Sequence, residues 1–242
     1  MPKRFVVAAF EFSELSRSDT GFELAEGLTA AAQQLHETSS PRATLRTAVR
    51  LAVRILPGVE YAGISVIEPK AHRQTLAWTD EVVRSADALN AGREHHPYWN
   101  RLWTAPVARI EDSAAADGDG DRALSDLGLR SVLSLRLRAD RRRLTVLTAY
   151  AREPRAFDES ATRMGRLFTA HVGIALDSAT LREQLTEAMR TRDLIGQATG
   201  ILMERLDIDA SEAFDSLVRT SQRENVKLRD LARRVVDASE GE

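Results

Sequence analysis

The sequence predicts an α+β domain with an antiparallel sheet between helical layers, joined by a long coiled-coil helix to an all-α three-helix bundle. Three observations carry this reading. Alternating or continuously apolar runs of strand length cluster between residues 61 and 150. From Asp158 the chain is free of helix breakers for about forty residues, and three short amphipathic stripes then close it.

Taken in order, periodic apolar residues make 22–36 and 44–56 helical, and Pro57-Gly58 stops the second helix. Five strands are expected at 61–67, 74–78, 106–110, 131–137 and 144–150, with Gly, Pro or Asp turn signals between several of them. Helical stretches near 82–90 and 122–127 interrupt the series. Beyond Asp158, alternating steps of four and three connect Ile174, Ser178, Leu181, Leu185, Ala188, Arg192, Ile195, Thr199 and Leu202. That spacing forms the seam of a two-helix coiled coil, so a dimer stalk is expected in which Ile174, Leu181, Leu185, Ala188 and Ile195 face a second copy. The alternative is one amphipathic helix lying on its own sheet.

Three sets follow at helical steps: Ile195, Ala198, Ile201, Leu202 and Leu206; Ala213, Phe214 and Leu217; Leu228, Leu231, Ala232, Val235 and Val236. Each set is one apolar stripe, and three short helices hide such stripes only against one another. Gly196 and Gly200 lie within the first of these helices. Glycine inside a helix costs about 1 kcal/mol against alanine, so a close helix approach is expected there. The charges at Arg192, Asp193, Glu204 and Arg205 are too near for a membrane-spanning motif.

Composition narrows the function. A chain of 242 residues with a net charge of -2 is long enough for two domains and is no globally basic nucleic-acid coat. No apolar run approaches the roughly 20 residues of a membrane span, and Glu11 interrupts the start too early for a secretory signal, so a cytoplasmic protein with no membrane partner is expected. Cysteine is absent, which excludes disulfides, thiolate metal sites, thiol catalysis and cysteine-linked chromophores.

Residues 193–242 are net acidic, yet Arg219, Arg223, Lys227, Arg229, Arg233 and Arg234 face only Glu224 and Asp230 across the same sixteen-residue window. Such a local cluster can neutralise phosphates, although charge runs on helices also serve as solvated faces. No aromatic residue follows Phe214, so recognition would rest on polar contacts rather than stacking on a platform of rings.

Other chemistry is weaker. His95-His96 has no third ligand at helical or hairpin spacing. The run from Asp117 to Asp121 opens like a calcium loop but has Arg122 and Gly128 where glycine and glutamate are needed. Arg136, Arg138 and 141–143 read as solvated hairpin charge. No phosphate-cradling loop, nucleophile elbow or zinc-protease motif is present, so no catalytic residue and no metal ligand is expected.

Two resemblances add to this reading. Ile195, Gln197, Ala198, Gly200, Ile201, Leu202 and Met203, then Glu212, Ala213, Phe214 and Leu217, then Ser221, Asn225, Lys227, Leu228, Arg229, Asp230 and Ala232 resemble the ANTAR domain, an RNA-binding output module of bacterial antitermination regulators. Resemblance and local charge together point to Gln197, Thr199, Arg205, Arg219, Ser221, Arg223, Asn225, Lys227, Arg229 and Arg233 as RNA-binding residues. Thr199 stands where the family is usually basic. The runs Leu127-Gly-Leu-Arg-Ser-Val-Leu-Ser-Leu-Arg-Leu, Leu144-Thr-Val-Leu-Thr-Ala-Tyr and Arg155-Ala-Phe-Asp-Glu resemble a GAF sensor domain. Relatives of this arrangement usually carry a Gly-rich acidic stretch near the middle, where this chain has Gly92-Arg-Glu-His-His-Pro-Tyr-Trp. No cofactor is therefore expected, and a small-molecule ligand of the sensor stays open.

The implied plan is an N-terminal extension at 1–21, a GAF-like sensor at 22–177, a stalk at 178–192 and an ANTAR unit at 193–242. The resemblance implies a homodimeric regulator that binds a pair of RNA hairpins in nascent transcripts and so prevents a terminator from forming. A DNA-binding three-helix regulator and a protein-interaction module remain open beside it. Some GAF proteins reduce sulfoxides, but that chemistry needs cysteine, so an enzyme is not expected.

Overall fold

The computed structural model describes residues 19–68, 73–89, 97–115, 119–140 and 143–240. Residues 1–18, the His95-His96 pair, Asp117, Gly118, Arg141 and Arg142 lie outside the described residues. In chain order the elements are α1 (Asp19–His36), α2 (Pro41–Ile55), β1 (Tyr61–Ile67), β2 (Arg73–Trp78), α3 (Glu81–Leu89), α4 (Pro97–Thr104), β3 (Val107–Ile110), α5 (Asp119–Asp126), β4 (Ser131–Ala139), β5 (Leu144–Ala151), α6 (Glu159–Leu206), α7 (Ala210–Glu224) and α8 (Leu228–Glu240). The chain divides into two compact units, Met1–Ala179 and Thr180–Glu242.

In the first unit five strands form one antiparallel sheet in the order β2-β1-β5-β4-β3. Alternation assigns the two faces. Ala62 and Ile64 of β1, Leu133 and Leu135 of β4 and Leu147 and Ala149 of β5 share one core with α1, α2 and Ala161, Met164, Phe168, Val172 and Ala175 of α6. Val132 and Tyr150 pack instead with Val83 and Ala86 of α3 and Leu124 of α5, while Ile67, Leu144 and Val146 pack with Leu102 of α4. The result is the antiparallel sheet between helical layers that the apolar pattern requires.

Local chemistry sets the element ends. Ser40 caps α2 by accepting from the Ala43 N–H at 3.3 Å, and Pro41 occupies the start of the helix, where its missing N–H costs nothing. Gly58 turns the chain into β1 with φ 74, a conformation in which a Cβ would collide with the Ala156 carbonyl. A Cβ on Gly63 would collide with Val83, so this glycine lets α3 lie directly on β1.

One element is a correction. Residues 97–104 form α4, where no helix was expected, because three of its eight residues, Tyr98, Trp99 and Trp103, are aromatics of low helix propensity. The final long helix also exceeds the expected length, running 48 residues from Glu159 to Leu206. Among the described residues no helix is long and apolar enough to cross a membrane.

Candidate nucleic-acid interface

The second unit is a three-helix bundle made by the C-terminal part of α6 with α7 and α8. Ala198, Leu217, Leu231 and Ala232 form its buried centre, with Leu194, Ile195, Leu202, Val226, Leu228, Val235 and Val236 packed around them. Alanine at the central contacts lets helix backbones approach closely, so few large side chains suffice to close the core.

The turns are firmly built. Asp209 caps α7 by accepting from the Glu212 N–H at 2.9 Å, and the Glu212 carboxylate accepts from the Asp209 N–H at 3.4 Å. At the other end Asn225 takes the left-handed conformation, φ 52 and ψ 41. The Ser221 hydroxyl then donates to the Val226 carbonyl at 2.7 Å, and the Lys227 carbonyl accepts the Asp230 and Leu231 N–H groups that open α8. A rigid α7–α8 corner follows from these bonds.

Around that corner Arg219, Arg223, Asn225, Lys227, Arg229 and Arg233 are all exposed. Among the described residues no ion pair holds Arg219, Arg223, Lys227 or Arg233. Arg229 lies 3.6 Å from Glu187 on α6 and 3.5 Å from its neighbour Asp230. Arg234 pairs with Glu224, and this guanidinium, with a smaller push from Arg223, holds the Glu224 carboxyl below the usual carboxylate range. Gln197 and Arg205 are exposed on α6. Thr199 and Ser221 direct their hydroxyls to the backbone, at Ile195 O (2.8 Å) and Val226 O respectively, which makes them structural as well as candidate contacts.

The glycine pair is a second correction. A Cβ at Gly196 or Gly200 would meet nothing within 4 Å, so among the described residues no helix closes on them. The inward positions of α6 are Leu194, Ile195, Ala198 and Leu202. The two glycines fall between them on the exposed side, leaving bare backbone next to Gln197.

Residues 183–236 match the family model of the ANTAR domain, and 38–177 match that of the GAF domain. The chain is a GAF and ANTAR domain protein. Both are regulatory rather than catalytic domains, and among the described residues no group of His, Cys, Asp and Glu could hold a metal ion. The chromophore-binding domain of the bacteriophytochrome RpBphP3 from R. palustris is similar in fold, at 12% identity and TM-score 0.53, over 66% of this chain and 63% of that one. So are the photosensory core module of Stigmatella aurantiaca phytochrome, at 10% and 0.56 over 83% and 45%, and the phycocyanobilin-bound GAF domain of a cyanobacterial phytochrome, at 13% and 0.51 over 65% and 96%. At these identities the likeness shows the fold alone, and the chain spans less than two thirds of the first two proteins. Among curated proteins none matches it significantly.

In the GAF domain, the sheet face under α3 encloses a charged cluster that the sequence does not announce. Asp87 lies 2.6 Å from the Arg73 guanidinium and accepts hydrogen bonds from Thr75 Oγ1 at 2.6 Å, from the Ser65 hydroxyl and from the Tyr150 hydroxyl at 3.3 Å. Four strand residues thus converge on one carboxylate of α3. Its only sequence signal is an acid adjoining the apolar stripe of Val83 and Ala86.

Along α6, Ile174 is 64% exposed, Leu181 and Leu185 are each 56% exposed, and Ala188 is exposed as well. Ile195 instead packs, partly buried, on the ANTAR core. Leu167 and Met189, 52% and 66% exposed, were missed as members of this apolar surface. Leu167 sits seven residues before Ile174, the step that extends the seam by one heptad.

Proposed function

We propose that this protein is a cytoplasmic, homodimeric regulator whose ANTAR domain binds paired hairpins in nascent RNA and whose GAF domain controls that binding. The observation that carries the reading is the α7–α8 corner, where Arg219, Arg223, Lys227 and Arg233 stand exposed and, among the described residues, without ion-pair partners in a net acidic domain. A cluster retained against that balance has its best physical use in neutralising phosphates. Asn225 beside it and Gln197 on α6 supply polar groups able to read a folded loop.

Antitermination then follows as competition between two RNA folds, in which binding one shifts the balance by the difference in affinity. Dimerisation supports it, because two ANTAR domains can engage two adjacent hairpins and make the second contact intramolecular. The apolar row of Ile174, Leu181 and Leu185 on α6 is the surface for that second copy.

Changing Arg223, Lys227 and Arg229 together to alanine tests the reading. Exposed cations contribute little to folding, so the helical circular dichroism should persist. Each lost phosphate contact removes roughly 0.7 to 0.9 from the slope of log affinity against log salt, so hairpin binding should weaken with a slope lower by about two to three. Unchanged hairpin affinity would remove the corner from the interface, and equal affinity for duplex DNA would favour a DNA-binding regulator.

A further inference from the structure

A second basic surface lies on the GAF domain. Helix α2 places Arg42, Arg46, Arg50 and Arg54 four residues apart, and all four are exposed. At about 1.5 Å rise per residue, neighbouring arginines are about 6 Å apart on one slowly turning stripe some 18 Å long. The opposite side of the helix is the buried row of Leu45, Ala48, Val49, Leu51 and Ala52.

Among the described residues nothing offsets this charge. Among the described residues no carboxylate pairs with any of the four, and Arg50 alone makes a side-chain hydrogen bond, to Thr47 Oγ1 at 3.5 Å. The first turn of α2 contains no acid. Arg42 therefore sits at the positive end of the helix dipole, and three successive like-charge pairs at the i, i+4 spacing work against the helix. A ladder that opposes its own helix points to a polyanion outside the chain.

We propose that this arginine ladder is a sequence-independent binding site for the phosphate backbone of RNA. Guanidinium groups bind phosphate oxygens in bidentate fashion, and a repeating polyanion can meet evenly spaced cations without any apolar anchor. A lipid surface fits less well, because no large apolar side chain of α2 is exposed to enter a bilayer. A protein partner fits less well too, since the stripe has no aromatic or aliphatic anchor to fill a pocket. RNA is the chosen polyanion because of the proposed ANTAR function, and the ladder deepens that reading by adding a contact for the same ligand class.

The test uses the full chain with Arg42→Gln, Arg46→Gln, Arg50→Gln and Arg54→Gln, a second variant with all four changed to lysine, and the corner triple described above. Binding is measured to a tandem-hairpin RNA and to an unstructured RNA between about 50 and 200 mM salt, with circular dichroism as the folding check. Removing four phosphate contacts should lower the salt slope by about three for both RNAs, so that the roughly 60-fold weakening which those contacts add over this salt range disappears. The lysine variant should keep most of the slope, and the glutamine variant should be at least as helical as the wild type because its like-charge repulsion is gone. The corner triple should lose preference for hairpins yet keep ladder-dependent binding to unstructured RNA at low salt.

An unchanged slope in the glutamine variant overturns the ladder. So does ladder-dependent binding to phosphatidylserine vesicles with RNA binding untouched. If the corner triple keeps full hairpin preference while the glutamine variant loses slope, the ANTAR reading fails and the ladder stands. A wild-type protein that binds neither RNA at low salt overturns both.

Discussion

Replacing Asp87 with alanine removes the carboxylate at the centre of the cluster under α3. The side chains of Arg73 and Asp87 are only 3% and 5% exposed, so their charges interact across 2.6 Å with little screening by water. Taking away one member of such a buried pair costs about 3 to 5 kcal/mol, because the other charge stays in a site shaped for its partner. Thr75, Ser65 and Tyr150 lose their shared acceptor in the same step. For a domain of this size each kcal/mol lowers the melting midpoint by about 2 to 4 °C, which gives an expected drop of about 6 to 20 °C.

Thermal and urea unfolding of the full chain, followed by circular dichroism, measure the effect. Asp87→Asn keeps an acceptor oxygen and loses the charge, so it should fall between wild type and Asp87→Ala. Combining Arg73→Met with Asp87→Leu removes both charges and should recover the part of the loss that comes from the unpaired guanidinium, while the Ser65, Thr75 and Tyr150 hydroxyls still lack their shared acceptor. If Asp87→Ala changes stability by less than about 1 kcal/mol, the cluster is hydrated in solution and the reasoning fails.

Three further outcomes follow from the geometry. Leu181→Asp with Leu185→Asp should yield a monomer in sedimentation at micromolar concentration with helicity retained, because both side chains are already 56% exposed in the single chain; a wild-type monomer would refute the stalk. Gly196→Ala and Gly200→Ala should each raise stability by about 0.5 to 1 kcal/mol, since no atom lies where either Cβ would go, and a loss of stability would reveal a helix approach that a single chain lacks. The Glu224 carboxyl titrates below its ordinary value, so its pairing with Arg234 stabilises the fold above the unfolded pKa near 4.3 and is lost as pH falls through the lower folded value. Arg234→Gln should raise the Glu224 midpoint measured by NMR, and an unmoved midpoint would exclude Arg234 as the cause.

The five strands and the three closing helices were legible in the sequence because their signals are local: alternation within a strand and a 3.6-residue period within a helix are complete inside one element. The same holds for the corner cations, which sit within sixteen residues of one another and need no long-range contact to be noticed. Helix α4 escaped because its aromatic residues Tyr98, Trp99 and Trp103 have low helix propensity, and tertiary packing overrode it. The glycine pair shows a different limit. A glycine's cost to its helix is readable in one dimension, but whether another helix approaches it depends on which side faces the core, and Leu194, Ile195, Ala198 and Leu202 turned inward instead. Asp87 meets partners on β1, β2 and β5, up to 63 residues away, and Arg229 meets Glu187 across the bundle. Charge pairing of this kind is decided by distance in space, which no spacing along the chain encodes, so only the tertiary structure could tell a compensated charge from an exposed one such as Lys227 or the arginines of α2.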